Sequence, residues 1–389
     1  MKKIAILTSG ILPVPAVQGG AVENLVDYYL AYNEQHRLYD ITVYSVWHPD
    51  VEKHPARQSA VNHYYYIKTE TLWAKIKKKT HQLTHGQEYY HYTIEYFLEQ
   101  AMKHIGRQHY DLIILENRPG FALSVRKKTS ARLVYHLHND HLNSTTPQAN
   151  ALYEAATGII TVSDYISSRV RTICPNDRKC HTVHNGIDLQ LFQKAAECND
   201  ASGMTLVYTG RIIREKGIGE LIDAMLLLKD YPEISLMVIG GSFYANSNDA
   251  DDFIEELRQK AEPIRNRIRF TGFVPYVKVP GLLAMADVAV LPSTWDEPFG
   301  LTVTEALAAG LPIITTRKGG IPEIVTDQNA ILLNADEHLP ESLANAILYL
   351  YQHKEKRDSL AAASSQQAAR FSKEVYAQNF FQCIMNYEL

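Results

Sequence analysis

The sequence is poor in cysteine and in long apolar runs, and it carries almost no excess charge. Its 389 residues include four cysteines, Cys174, Cys180, Cys198 and Cys383, with no C-x-x-C pair. A chain of this length can build its own core without disulfide staples, so these read as reduced thiols of a cytosolic protein. No stretch reaches the roughly 18 apolar residues of a membrane span. The opening MKKIAILTSG holds an apolar run too short for a signal-peptide core, ended by Thr8-Ser9-Gly10. The expected location is therefore inside the cell, at most peripheral on the inner face of the membrane. A formal net charge of −4 supplies no global field for nucleic acid, which is excluded as a partner.

What is present is a soluble, globular composition, 46% apolar and 21% charged. The length predicts two domains. Lys3 to Leu7 reads as a buried strand. A loop with Pro13, Pro15, Gly19 and Gly20 follows, and then apolar residues fall at helical spacing, Val22, Leu25, Val26, Tyr29, Leu30. Strand, glycine loop and helix form the opening unit of a doubly wound sheet. Further strands are expected at 40–46, 111–117, 132–138, 158–163 and 179–186, with helical stretches between several of them. The polar segment 194–203 reads as a linker. After it the pattern restarts, with strands in MTLVYTG, ISLMVIGG, IRFTGFV, VAVLPS and AILLN. The fold class is α/β, and the predicted domains are 1–193 and 203–371. The final helix, 372–389, is expected to return to the first domain through Val375, Phe380, Ile384 and Met385. Two doubly wound domains facing across a cleft would offer a binding site at their strand ends.

Residues 61–105 break the βα rhythm. Within them, 61–85 hold Tyr64, Tyr65, Tyr66 and Trp73 beside five lysines and one glutamate. Basic plus aromatic is the composition of a helix lying on an anionic membrane surface, and equally of a solvated helix whose aromatics face the core.

Two stretches carry chemistry. In TGRIIREKGIGELI, Thr209 to Ile222, a strand ends at Gly210, Arg211 and Lys216 flank a turn, and a helix opens at Gly217. Two cations at a helix N-terminus suit a diphosphate, although the order is not that of a P-loop. Two solvated loop cations would read the same. In TWDEPFGLTVTEALAAGLPIITT, Glu297 precedes Pro298 in a loop and Glu305 lies in the helix that follows. Gly300 allows close backbone approach, and the amides near Phe299, Gly300 and Leu301 would face an anion. Carboxylates so placed could accept from a ribose diol or a sugar. Taken as two glutamates alone, they fit a cap and a solvated side chain.

In order, GRIIREKG and EPFGLTVTE resemble the G-R-x4-K-G and E-x7-E motifs of the retaining glycosyltransferases of family 4, which have the GT-B fold of two Rossmann-like domains. GGAVENL, VSDYISSRV, HNGIDLQLF and GGIPEIV extend the resemblance over nearly the whole chain. It implies a nucleotide-sugar donor, UDP favoured and GDP second, held mostly by the second domain. Arg211 and Lys216 would bind the pyrophosphate, Glu305 the ribose, and Glu297 the sugar, with the amides of Phe299, Gly300 and Leu301 nearby. The base would lie near Phe273 and Val274, Gly19 and Gly20 would approach the diphosphate, and His138 would touch the donor sugar. His136 competes for that role by strand periodicity, and Asp140 would lie near the acceptor. The resemblance further implies retention, no metal and no cofactor. The acceptor would be a glycan or lipid-linked, in cell-envelope, capsule or exopolysaccharide synthesis.

A competing motif lies in the first domain. HLHNDH, 136–141, is the HxHxDH pattern of metallo-β-lactamase-like zinc hydrolases. That fold has no place for two βα repeats. A third reading keeps the fold and nucleotide-sugar binding without turnover.

Overall fold

The computed structural model describes residues 1–85, 91, 93–192, 203–241 and 251–387. The proposed linker falls almost wholly outside them. The chain divides into two units, Met1–Gly186 with Lys373–Leu389, and Ile187–Ser372.

The first unit is built on seven strands: β1 Lys3–Leu7, β2 Asp40–Val46, β3 Asn62–Ile67, β4 Leu112–Glu116, β5 Arg132–Leu137, β6 Gly158–Thr161 and β7 Cys180–Thr182. All pair in parallel, in the order β3-β2-β1-β4-β5-β6-β7. Parallel strands need crossovers, and helices on both faces turn the central strands into continuous apolar runs. Every residue of β4 and β6 is buried accordingly. The order reverses between β1 and β4, the switch point where open sheets bind ligands.

Residues 61–85 do not form one basic helix. Asn62–Ile67 forms the edge strand β3, in register with β2, and Leu72–Thr84 is a separate helix. The run of tyrosines favours a pleated, half-buried surface over a helix. Tyr64 and Tyr66 stack on one face at 5.8 Å, while Tyr65 stacks on His104 on the other.

The closing helix Lys373–Asn386 packs on helix Ala21–His36 within the first unit, and Phe380 stacks on Tyr29 at 4.2 Å. Its buried stripe is Tyr376, Ala377, Phe380, Phe381, Cys383 and Ile384, whereas Met385 is exposed. The 3.6-residue period selects this stripe once Phe380 and Ile384 are fixed inward. Each such aromatic contributes about 1.5–3 kcal/mol by leaving water.

The second unit has six parallel strands: β8 Met204–Thr209, β9 Ile234–Ile239, β10 Ile268–Gly272, β11 Val288–Leu291, β12 Ile313–Thr316 and β13 Ala330–Leu333. Their order is β10-β9-β8-β11-β12-β13. Leu221, Ile222 and Met225 of helix Ile218–Leu227 meet Leu343, Ile347 and Leu350 of helix Leu339–Gln352 in its core. The unit begins at Ile187, so the first unit's main segment ends at Gly186 rather than at the expected 193. The reason is local: the short helix Leu189–Phe192 packs on helices Val279–Leu283 and Leu301–Ala308, and Ile187 bridges to Ser372. The switch point here lies between β8 and β11.

Candidate functional site

Lys216 and Glu297 lie 81 positions apart and meet at that switch point. After β8 the chain makes a short 3-10 turn, Arg214–Lys216, and enters helix Ile218–Leu227 through Gly217. After β11 it runs through Ser293 to Glu297. The two loops are joined by backbone: the amides of Thr294 and Trp295 donate to the Glu215 carbonyl at 2.9 and 3.3 Å. Lys216 Nζ then lies 2.5 Å from Glu297 Oε1, and the Ser293 hydroxyl donates to the same oxygen at 2.8 Å. Trp295 adds its ring face, 5.8 Å from Nζ.

Two glycines make the junction possible. Gly217 has φ +71°, and a Cβ there would stand 1.9 Å from the Pro292 carbonyl oxygen. At Gly319, φ is +54° and a Cβ would lie 2.1 Å from the carbonyl oxygen of Glu297. No L side chain fits either place, and the next amide, Gly320, donates to Glu297 O at 2.8 Å.

Lys216, Ser293 and Glu297 line a small recess with Tyr208, Thr209, Gly300, Thr302 and Ile321. Glu297 is 7% exposed. A buried ion pair of this kind is a weak source of stability but a strongly oriented pair of charges. Helix Leu301–Ala308 opens at Gly300 with no side-chain cap, so its N-terminal amides face the same region. The arrangement can hold an anion against a cation and a helix terminus, beside a carboxylate that accepts from hydroxyls.

The other expected site residues are placed as follows. Arg211 is exposed on the loop after β8, its carbonyl accepting from the Tyr208 hydroxyl at 2.8 Å. Phe299 is buried against Phe371, and Leu301 is half-buried at the helix start. Glu305 does not line the recess. It is buried one turn further along the helix, where loss of solvent pushes its carboxyl up to about 7 against a hydrogen bond from Tyr276. Val274 follows β10 in a loop where Phe273 is largely exposed. Gly19 and Gly20 both have positive φ before helix Ala21–His36. The Glu23 carboxyl folds back against Gly20, and burial pushes it up to about 7.

In the first unit, HLHNDH does not act as one constellation. His136 lies on β5 and His138 one residue past it, both buried. Asp140 turns away to Arg169 at 2.7 Å and to Asn143 at 2.8 Å, and His141 is exposed. The zinc-hydrolase reading therefore fails on geometry as well as on topology. The third partner of the histidines is Glu116, from β4, at 3.0–3.2 Å. Sequence reasoning missed Glu116. The signal available was a carboxylate ending a fully apolar strand.

Comparison with known proteins agrees with this architecture. The "Glycosyltransferase Family 4" profile matches residues 34–191 and "Glycosyl transferases group 1" matches residues 193–367. YtcC of Bacillus subtilis (strain 168) is 28% identical over 367 residues, covering 89% of this chain and 82% of that one. Spore coat protein SA of the same organism is 26% identical, covering 97% of each. The crystal structure of Anabaena HepE in complex with UDP-glucose superposes with a TM-score of 0.72 at 21% identity, over 99% of this chain and all of that one. Two doubly wound parallel-sheet units, each matched by its own half of the family pattern, make this chain a glycosyltransferase of family 4 with the GT-B fold.

Proposed function

We propose that this chain transfers a sugar from a UDP-sugar to a glycan or lipid-linked acceptor, retaining the anomeric configuration and requiring no metal. The observation that carries the reading is the recess at the β8–β11 switch point, where Lys216, Glu297 and Ser293 meet the uncapped N-terminus of helix Leu301–Ala308. A nucleoside diphosphate gains negative charge as its bond to the sugar C1 breaks, and preorganised donors stabilise that charge. An ammonium has three N–H donors, and Lys216 directs one at Glu297. The other two, Arg211 and the helix amides would take the diphosphate. Glu297 accepts from the sugar, and Glu305 from the ribose. His138 contacts the sugar, and the acceptor hydroxyl attacks C1 on the face the diphosphate leaves. Its oxygen–C1 bond forms as the C1–phosphate oxygen bond breaks, and the proton passes to a phosphate oxygen. HepE was crystallised with UDP-glucose, which favours uridine over guanosine.

Helix Leu72–Thr84 supports a lipid-linked acceptor. Only Ala74 is buried, while Leu72, Trp73, Ile76 and Leu83 are exposed along one side with Lys75 and Lys79 beside them. Lys77 is engaged by Glu99, so the basic character is smaller than the composition suggests. An apolar stripe flanked by lysines fits an anionic membrane surface. None of the helices among the described residues is long and apolar enough to cross a membrane.

The test is thermal unfolding in EDTA with UDP, GDP, dTDP and ADP in parallel. A ligand at a hundred times its dissociation constant stabilises by about 2.7 kcal/mol. A shift with UDP in EDTA is expected. No shift with any nucleotide, or a shift only when a divalent metal is supplied, would overturn the reading.

A further inference from the structure

The buried cluster under the switch point of the first unit has a directional chemistry of its own. Glu116 is fully buried at the end of β4. Its carboxylate meets three donors: the Tyr29 hydroxyl at 2.8 Å, His136 Nδ1 at 3.1–3.2 Å and His138 Nε2 at 3.0 Å. Burial would raise its pKa, but the charge and hydrogen bonds of His136, joined by those of His138, hold it well below the usual carboxylate range. An ionised carboxylate only accepts. Each neighbour must therefore turn an N–H or O–H toward it. His136 does so through Nδ1 in either protonation state.

For His138 the consequence is sharper. Burial and the neighbouring His136 bring it down to about 4, so at neutral pH it carries one proton. That proton is on Nε2, because Nε2 faces Glu116. His138 Nδ1 is left as a bare acceptor, and it is buried with no hydrogen-bond partner among the described residues. An unmatched buried acceptor is destabilising, and a ligand donor removes that cost. We infer that Glu116 is a positioning residue that holds His138 in its Nε2–H tautomer and so presents Nδ1 to a sugar hydroxyl. The hydroxyl half of this inference rests on the proposed contact between His138 and the sugar, and the tautomer half does not.

Nitrogen-15 NMR of the full-length protein labelled at histidine tests both halves, with the His138 signals assigned by their loss in His138→Gln. The expected wild-type result is a protonated Nε2 and an unprotonated Nδ1, with the Nδ1 signal moving on addition of UDP-glucose but not of UDP. Glu116→Gln replaces an accepting oxygen by a donating amide and should shift His138 at least partly to the other tautomer. Glu116→Asp keeps the acid and should restore the wild-type pattern. The UDP-induced rise in unfolding temperature should be the same in all three proteins.

A wild-type His138 protonated on Nδ1 would overturn the inference. So would a tautomer unchanged in a folded Glu116→Gln, or bound zinc whose removal by EDTA changes the His136 and His138 signals. Should Glu116→Gln fail to fold, the wild-type spectrum still decides the tautomer. An Nδ1 signal indifferent to UDP-glucose, with the tautomer as inferred and UDP still binding, would overturn the sugar contact alone.

Discussion

The two units place charge at equivalent points of their sheets and surround it differently. In the first, a carboxylate at the end of β4 is enclosed by Tyr29, His136 and His138, which direct all their contacts with it inward. In the second, Lys216 and Glu297 lie beyond β8 and β11 and line an open recess. A closed network fixes the orientation of what it holds. An open pair keeps donors and acceptors for a ligand. The same switch-point topology thus yields a closed hydrogen-bonded network in one unit and a charged pair lining a recess in the other.

The sharpest way to break this comparison is Lys216→Ala. It removes the cation proposed to face the leaving group and leaves the buried Glu297 without its partner. Loss of a preorganised charge partner in the transition state lowers turnover by roughly 10²–10³-fold. The UDP-dependent rise in unfolding temperature should also disappear. If UDP stabilises Lys216→Ala as well as the wild type, the recess is not the diphosphate site.

Glu305→Gln probes the second unit's buried acid. Its folded pKa, about 7, lies above its ordinary 4.5. The folded state therefore holds the proton more tightly, and the associated stability is present below pH 4.5 and lost as pH rises through 7. A shift of this size corresponds to about 3 kcal/mol. Denaturant unfolding at pH 5 and pH 8 should show a smaller loss of stability in Glu305→Gln than in the wild type. Equal losses in both proteins would show that Glu305 does not titrate as its burial demands.

Trp73→Ser should have the smallest effect on the fold. Trp73 is 75% exposed, and surface substitutions of this kind stay within about ±0.5 kcal/mol. Co-sedimentation with vesicles containing phosphatidylserine should nevertheless fall several-fold, while neutral vesicles capture neither protein. Equal capture of Trp73→Ser and the wild type would detach helix Leu72–Thr84 from any membrane role.

Much of this was legible before the structure. Short, largely apolar runs placed β1, β2, β4, β5 and β6 and most strands of the second unit, because a strand covered on both faces must be apolar throughout. The motif around Lys216 and Glu297 stood out because the glycines and prolines that shape such loops are local in sequence. Residues 61–85 misled because lysines after Leu72 lent their helical character to the tyrosines before it. Glu116 was invisible for a different reason: one carboxylate closing a strand has no pattern, and its partners come from β5 and from helix Ala21–His36.

The sequence by itself determined two doubly wound units, their approximate extents and the loops that carry charge. These follow from periodicity and from residues whose backbone preferences act within a few positions. Only the tertiary structure decided which charged groups meet. Lys216 reaches Glu297 because β8 and β11 are neighbours in the sheet. Glu116 holds His138 because β4 pairs with β5 in the register that sets Glu116 beside His136. Strand order and register arise from packing the whole unit, and no local pattern of residues encodes them.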